Sequence, residues 1–206
     1  MSDVLSGFGV SRGVVAASGA TTLNDNELVM VDGGLGTVSV AAEARQFAEL
    51  ARDRGVRMVG TMIEVPAAAL RARSILDECD FVSLGTNDLA QYAFAADRQL
   101  GQLGDLLDPW QPALLELVRL ATDAGLSAGK PVGVCGEAAS DACLAPVLVG
   151  LGVTRLSMAP GSLAPVRASL ATHTLEDCQE MAKIALDASD AASARESVRH
   201  RANVSE

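Results

Sequence analysis

The sequence predicts an α/β protein built on a parallel sheet with crossover helices, and three observations carry that prediction. From about Met58 onward, short apolar runs alternate with segments of helical period, the rhythm of β–α–β units. The runs are nearly continuous in Val, Ile, Leu and Phe, as buried parallel strands are. Three of them end in a polar residue beside Gly or Pro: Gly60-Thr61-Met62-Ile63-Glu64-Val65-Pro66, Ser83-Leu84-Gly85-Thr86-Asn87-Asp88-Leu89 and Gly133-Val134-Cys135-Gly136-Glu137. A parallel strand that delivers a functional side chain at its C-terminal tip reads this way.

Taken in order, residues 1–43 read as β-rich and turn-rich. Ser6–Val15 has glycine punctuation and no helical period, and Asn24-Asp25-Asn26 is a turn cluster. Glu27–Val40 reads as a hairpin turned by Asp32-Gly33-Gly34. Ala41–Arg54 reads as a helix with Ala44, Phe47, Ala48 and Ala51 near one face. Met58–Val65 is a strand, and Pro66 opens a helix to about Leu76, proline being suited to a first turn. Asp80–Leu84 is a strand, and Asn87-Asp88 starts a loop or a helix. Trp110–Ala128 is a helix with Leu114, Leu117, Val118 and Ala121 on one side. Pro131–Val134 is a strand, Ser140–Leu151 a helix, Arg155–Met158 a strand and Ser162–Leu170 a helix. From about Leu175 the chain reads as helical and increasingly polar, ending in a frayed tail. The expected organisation is therefore a β-rich segment over 1–43, an α/β body over 44–174, and a C-terminal helix with a polar tail over 175–206.

Composition narrows the function. The chain has 206 residues, enough for one sizeable core or two small domains, and 49% of them are hydrophobic, which excludes disorder for most of it. Aromatic residues make up 3% and the net charge is −10. The first argues against base-stacking platforms and the second against phosphate contacts, so no nucleic-acid partner is expected. The cysteines, Cys79, Cys135, Cys143 and Cys178, show no CxxC spacing, which leaves zinc or a redox pair without a signal. No charged-then-apolar leader opens the sequence and no apolar run is long enough for a bilayer. A cytoplasmic protein with reduced thiols and no membrane insertion is the expectation.

Glu64 and Asp88 close successive strands, so parallel neighbours would put both carboxylates on one rim. Such a pair, completed by waters and substrate, suits Mg²⁺; a helix cap for Asp88 and a surface role for Glu64 are the alternatives. Asn87 could bind a substrate oxygen or cap a helix. Arg98 could fork onto a carboxylate or phosphate, or pair with Asp97 or solvent. Cys135 at a strand end could act as an acid or nucleophile, or fill space as buried thiols do. Glu137 could hydrogen-bond into the same rim. His173 and His200 lie in a polar junction and a charged tail, where a solvated or capping role is expected.

The three segments, extended through Gln91-Tyr92, Ala95-Ala96-Asp97-Arg98 and Leu107-Asp108-Pro109, resemble the PEP-utilising enzymes, in particular the enzyme I type phosphotransferases of the bacterial sugar phosphotransferase system. The resemblance runs from about Gly55 to Leu170. It implies a (β/α)₈ barrel that binds phosphoenolpyruvate (PEP) and Mg²⁺, transfers the phosphoryl group and releases pyruvate. By motif, Glu64 and Asp88 would hold Mg²⁺; Asn87, Asp88 and Arg98 would bind PEP; and Cys135 would protonate the enolpyruvate carbon. Gly7–Ala16 resembles the opening strand of that family, and Asn26–Val40 the closing hairpin of its swivelling phosphohistidine domain, with only residues 17–25 between them. No histidine stands in a matching motif, and Val40 runs almost directly into the late-barrel helix. The helical domain that docks the carrier protein HPr and the early barrel strands have no counterpart.

The implied protein is a partial (β/α)₈ barrel, late strands only, preceded by a small β-hairpin remnant. A whole barrel takes roughly 250 residues; about four of its strands are legible here. Three functions follow: a PEP-dependent phosphotransferase impaired by loss of its acceptor, a non-catalytic module that associates with copies of itself, and a Mg²⁺-dependent lyase or PEP synthase relative acting on pyruvate-like enolates.

Overall fold

The computed structural model describes residues 14–16, 28–31, 40–96 and 101–204. Six strands form one sheet: β1 (Val14–Ala16), β2 (Leu28–Val31), β3 (Val59–Ile63), β4 (Phe81–Gly85), β5 (Val132–Cys135) and β6 (Arg155–Ser157). They lie side by side in chain order, and every pairing is parallel. The helices are α1 (Val40–Asp53), α2 (Pro66–Leu70), α3 (Ala72–Leu76), α4 (Thr86–Ala93), α5 (Pro112–Ala128), α6 (Glu137–Ser140), α7 (Leu144–Gly150), α8 (Leu163–Ala171), α9 (Leu175–Leu186) and α10 (Ala191–Val204). A 3₁₀ turn, Gly101–Leu107, lies between α4 and α5; no expectation covered it.

Strand order without reversal fixes where the helices go. Right-handed crossovers that always step the same way leave their helices on the same face. That outer face carries Val59, Ile63, Val82, Leu84, Val132 and Val134, all at most 2% exposed. Most of them join one core with residues of α2, α3, α5, α7, α9 and α10. The alternate positions, Gly60 and Met62, Phe81, Ser83 and Gly85, Gly133 and Cys135, Arg155 and Ser157, form the inner face and belong to none of the core clusters. Phe81 fills its lower part: the ring lies over Gly60, whose Cβ would sit 2.2 Å from it.

The strands expected at 58–65, 80–84, 131–134 and 155–158 are all present, within a residue or two at their ends. The hairpin over Glu27–Val40 is not. β2 pairs in parallel with β1 on one side and with β3 on the other, so neither edge is open to a hairpin partner, and Val40 already belongs to α1. Its proposed turn, Asp32-Gly33-Gly34, lies outside the described residues.

One expected helix is broken in the middle and another is cut near its start. Arg71, at φ −109° and ψ 16°, separates α2 from α3. Asp141 is extended and its Oδ1 accepts from the backbone N–H of Cys143 at 2.8 Å and Leu144 at 3.2 Å. A carboxylate that bonds the first N–H groups of the next helix competes with continuing the previous one, so Ser140 ends α6, which begins at Glu137, and α7 starts only at Leu144. α5 matches its expectation better. Proline stands in its first turn, Leu114, Leu115, Val118 and Ala121 are buried, and Gly129 at φ +64° ends it in the left-handed conformation that favours glycine.

The helices expected from about Leu175 are present and belong to the body; residues 205 and 206, at the end where fraying was expected, lie outside the described residues. Thr174 and Asp177 form a reciprocal capping box that starts α9. Met181, Ala182 and Ala185 of α9 and Ala191, Ala194 and Val198 of α10 enter the main core. α7 approaches α9 so closely that a Cβ at Gly150 would lie 1.9 Å from the Cys178 carbonyl oxygen. Trp110, fully buried, ties the C-terminal helix to the body. Its indole N–H donates to Asp141 at 2.9 Å, and Arg195 of α10 lies over its ring at 5.6 Å while bonding both oxygens of Asp108 at 2.9 and 3.0 Å.

Candidate functional site

Sheet register assembles the site. Ile63 pairs with Leu84 and Gly85 with Cys135, so Glu64, the residue after β3, comes level with Gly85 and Cys135 at the C-terminal rim of the inner face. Gly85 is needed there. A Cβ on it would sit 2.4 Å from Oε1 of Glu64 and 2.7 Å from its Cγ, so the carboxylate lies across the glycine. α4 then begins at once, with Gly85 as its N-cap and no side-chain cap bond. Asn87 and Asp88 therefore occupy the first turn and neither serves as the cap, which removes that alternative. A carboxylate in a first turn is favoured by the helix dipole.

Cys135 ends β5, and Gly136 follows at φ +86° and ψ −148°, a conformation open to glycine alone. A Cβ on Gly136 would lie 3.6 Å from the Asn87 side-chain nitrogen. The first turn of α4 thus leans over the β5–α6 turn, bringing Asn87 beside the thiol's strand. The Cys135 Sγ donates to the Leu84 carbonyl at 3.5 Å. Burial pushes the thiol up from its ordinary value; a hydrogen bond with Ser83 opposes this, and the Glu64 and Asp88 carboxylates push it up further. Both carboxylates are therefore close enough to act on the sulfur, and the group stands as a neutral thiol at neutral pH. Such a thiol can give a proton and is a poor nucleophile.

Of the residues singled out from sequence, Glu64, Asn87, Asp88 and Cys135 come together. Arg98 lies outside the described residues. Glu137 opens α6, exposed, and makes no hydrogen bond or ion pair with the described residues. Ser83 escaped notice although its signal was visible, a hydroxyl in the middle of the apolar run Phe81-Val82-Ser83-Leu84. Cys79 and Cys178 are fully buried filler, their thiols pushed up to about 11 by burial. Among the described residues no group of three or more His, Cys, Asp and Glu is gathered for a metal. The pair Glu64 and Asp88 would leave most of a coordination shell to water and substrate.

Residues 37–175 match the family model for the PEP-binding domain of PEP-utilising enzymes. The chain belongs to that family. Among its relatives, the phosphoenolpyruvate-protein phosphotransferase of Streptomyces coelicolor is 57% identical over 159 residues, 77% of this chain and 29% of the relative. The phosphotransferase of the same name from Mycoplasma genitalium is 43% identical over 128 residues, 62% of this chain and 22% of the relative. That of Bacillus subtilis is 40% identical over 121 residues, 59% and 21% respectively. The chain thus matches under a third of the length of those relatives. In fold it is similar to a citrate lyase from Burkholderia xenovorans, with a TM-score of 0.52 at 18% identity, covering 86% of this chain and 64% of the other.

Proposed function

We propose that this chain carries the PEP- and Mg²⁺-binding end of a phosphoenolpyruvate-protein phosphotransferase. The observation that carries the reading is the convergence of Glu64, Asp88 and Cys135 on one rim of a parallel sheet, within a stretch that belongs to the PEP-utilising family. Residues 44–174 are the working segment, and the six strands, wound in one direction with helices on one face, are part of a (β/α)₈ wall. Glu64 and Asp88 are the metal pair. Their hard oxygen donors, incomplete as a shell, fit Mg²⁺, which supplies charge neutralisation for a transferring phosphoryl group. Asn87, Asp88 and Arg98 hold PEP. Cys135, kept protonated by burial, gives its proton to the enolpyruvate carbon as pyruvate forms. HPr is the carrier partner of such an enzyme, and its setting is the cytoplasm.

No histidine stands in an acceptor motif, so the chain by itself binds the substrate and does not complete the transfer. Incubation with ³²P-labelled PEP and Mg²⁺, with and without HPr, tests this. The expected result is no label on either protein, together with a rise in melting temperature on adding PEP and Mg²⁺. A melting curve unmoved by millimolar PEP would refute the reading. Self-association is favoured by a separate observation: β1 and β6 each pair on one side only among the described residues, and open strand edges recruit other strands. Light scattering is expected to show a homo-oligomer.

A further inference from the structure

The inner face carries one further charged residue that the site as described leaves unused. Arg155 stands in β6 opposite Gly133, and Gly133 stands opposite Ser83. Residues paired across a parallel ladder share a face. The distances agree: a Cβ built on Gly133 would lie 3.6 Å from the Arg155 Cβ and 3.6 Å from the Ser83 Oγ. The missing side chain at 133 is therefore a notch, with a hydroxyl on one side and the root of an arginine on the other. This rung lies two residues below the rung of Gly85 and Cys135, about 6.6 Å along the strand, a gap that three methylenes and a guanidinium can span. Arg155 is half-buried and makes no hydrogen bond or ion pair with the described residues. Among the inner-face positions that are described it is the only cation.

Charge balance gives this arginine a use. One divalent cation offsets the charges of Glu64 and Asp88 and little more. PEP brings a carboxylate and a phosphate, which need cations of their own, and a guanidinium offers a planar fork to either group. We propose that Arg155 forms an oxyanion-recognition subsite at the floor of the site, beside the Gly133 notch and across it from the Ser83 hydroxyl that bonds Cys135, and takes one anionic group of the substrate. The inference rests on the PEP reading above.

The test is titration calorimetry of the full chain in Mg²⁺ with PEP, oxalate and inorganic phosphate. Arg155→Met keeps the stem and removes the charge; it is expected to weaken PEP binding roughly tenfold to a hundredfold, the range for a charge-assisted hydrogen bond. A parallel loss for oxalate assigns the carboxylate to the subsite, and a parallel loss for phosphate assigns the phosphoryl group. Arg155→Lys recovers part of the affinity, and Mn²⁺ affinity, read by electron paramagnetic resonance, stays unchanged. Arg155→Met that is folded by circular dichroism and binds PEP as the parent does overturns the subsite alone. Should that variant not fold, Gly133→Ala decides, since its methyl meets nothing nearer than 3.6 Å. It is expected to lower PEP affinity roughly tenfold, and unchanged affinity overturns the subsite. A parent chain that binds no PEP removes the phosphotransferase reading, and this inference with it.

Discussion

The two faces of one sheet differ as a core differs from a site, although they are made of alternate residues of the same strands. The outer face presents Ile63, Val82, Leu84, Val132 and Val134, all sealed under helices. The inner face presents glycines where the outer presents branched aliphatics. At Gly85 the absent side chain makes room for Glu64, at Gly136 it permits the positive φ of the turn beside Asn87, and at Gly133 it leaves a gap. Burial of apolar area supplies the stability, so the face that contributes little of it beyond Phe81 is free to hold carboxylates, a hydroxyl and a thiol in fixed relation. Function here rests on what the inner face leaves out as much as on what it carries.

The sharpest way to break this contrast is to exchange the demands made on the two faces. Leu84→Ala, on the outer face, is expected to cost about 2–5 kcal/mol in urea denaturation. A cost below about 1 kcal/mol would show that the outer face is not the sealed side. Glu64→Gln and Asp88→Asn should do the opposite: stability in metal-free buffer changes by less than about 1 kcal/mol, while the rise in melting temperature with Mg²⁺ and PEP disappears. If either variant kept that rise, the metal pair would be wrongly assigned.

Smaller effects sharpen the picture. The Cys135 thiol is half-buried and held above its ordinary value by that burial, whereas Cys143 is exposed to reagent. Mass spectrometry after brief iodoacetamide treatment should find Cys143 modified first, and equal rates would contradict the burial argument. Cys79 and Cys178 ionise at about 11 when folded and at 9.0 ordinarily. The unfolded chain therefore releases their protons first as pH rises. Their contribution to stability is full below pH 9.0 and is lost progressively toward about 11, and substituting both by Ala should flatten that alkaline decline. Least of all, Thr174→Ala removes the capping box of α9 and should cost about 1 kcal/mol. Asp177 is held below its usual value chiefly by its hydrogen bonds with Thr174. Its share of stability is thus present above the ordinary carboxylate range and is lost as pH falls through the depressed folded value. The variant's deficit should shrink in acid.

Much of this was legible beforehand because parallel strands advertise themselves. Apolar runs ending at Glu64, Asp88 and Cys135 located the strands and the rim, since burial on both faces forces the run and a C-terminal tip ends it. What stayed hidden depended on partners distant in sequence. The breaks at Arg71 and Asp141 follow no local period, and Asp141 turns the chain by accepting from the Cys143 and Leu144 N–H groups while bonding Trp110. The polar look of residues 175–204 concealed alanines spaced to fit a core that only the folded body supplies. Leu28–Val31 read as half of a hairpin because its glycine-rich sequel is turn chemistry; that it lies between β1 and β3 could not be inferred from its own residues.

Trp110 carries a practical consequence. It is the only tryptophan in the chain, so the protein's red-edge fluorescence comes from a single lamp. That lamp stands where α5, the segment after Cys135 and the C-terminal helix meet, with a guanidinium over one face of the indole. Release of α10 would uncover the ring and shift its emission before the sheet lets go, giving an optical account of how tightly the last helix is latched that needs no label and no substrate.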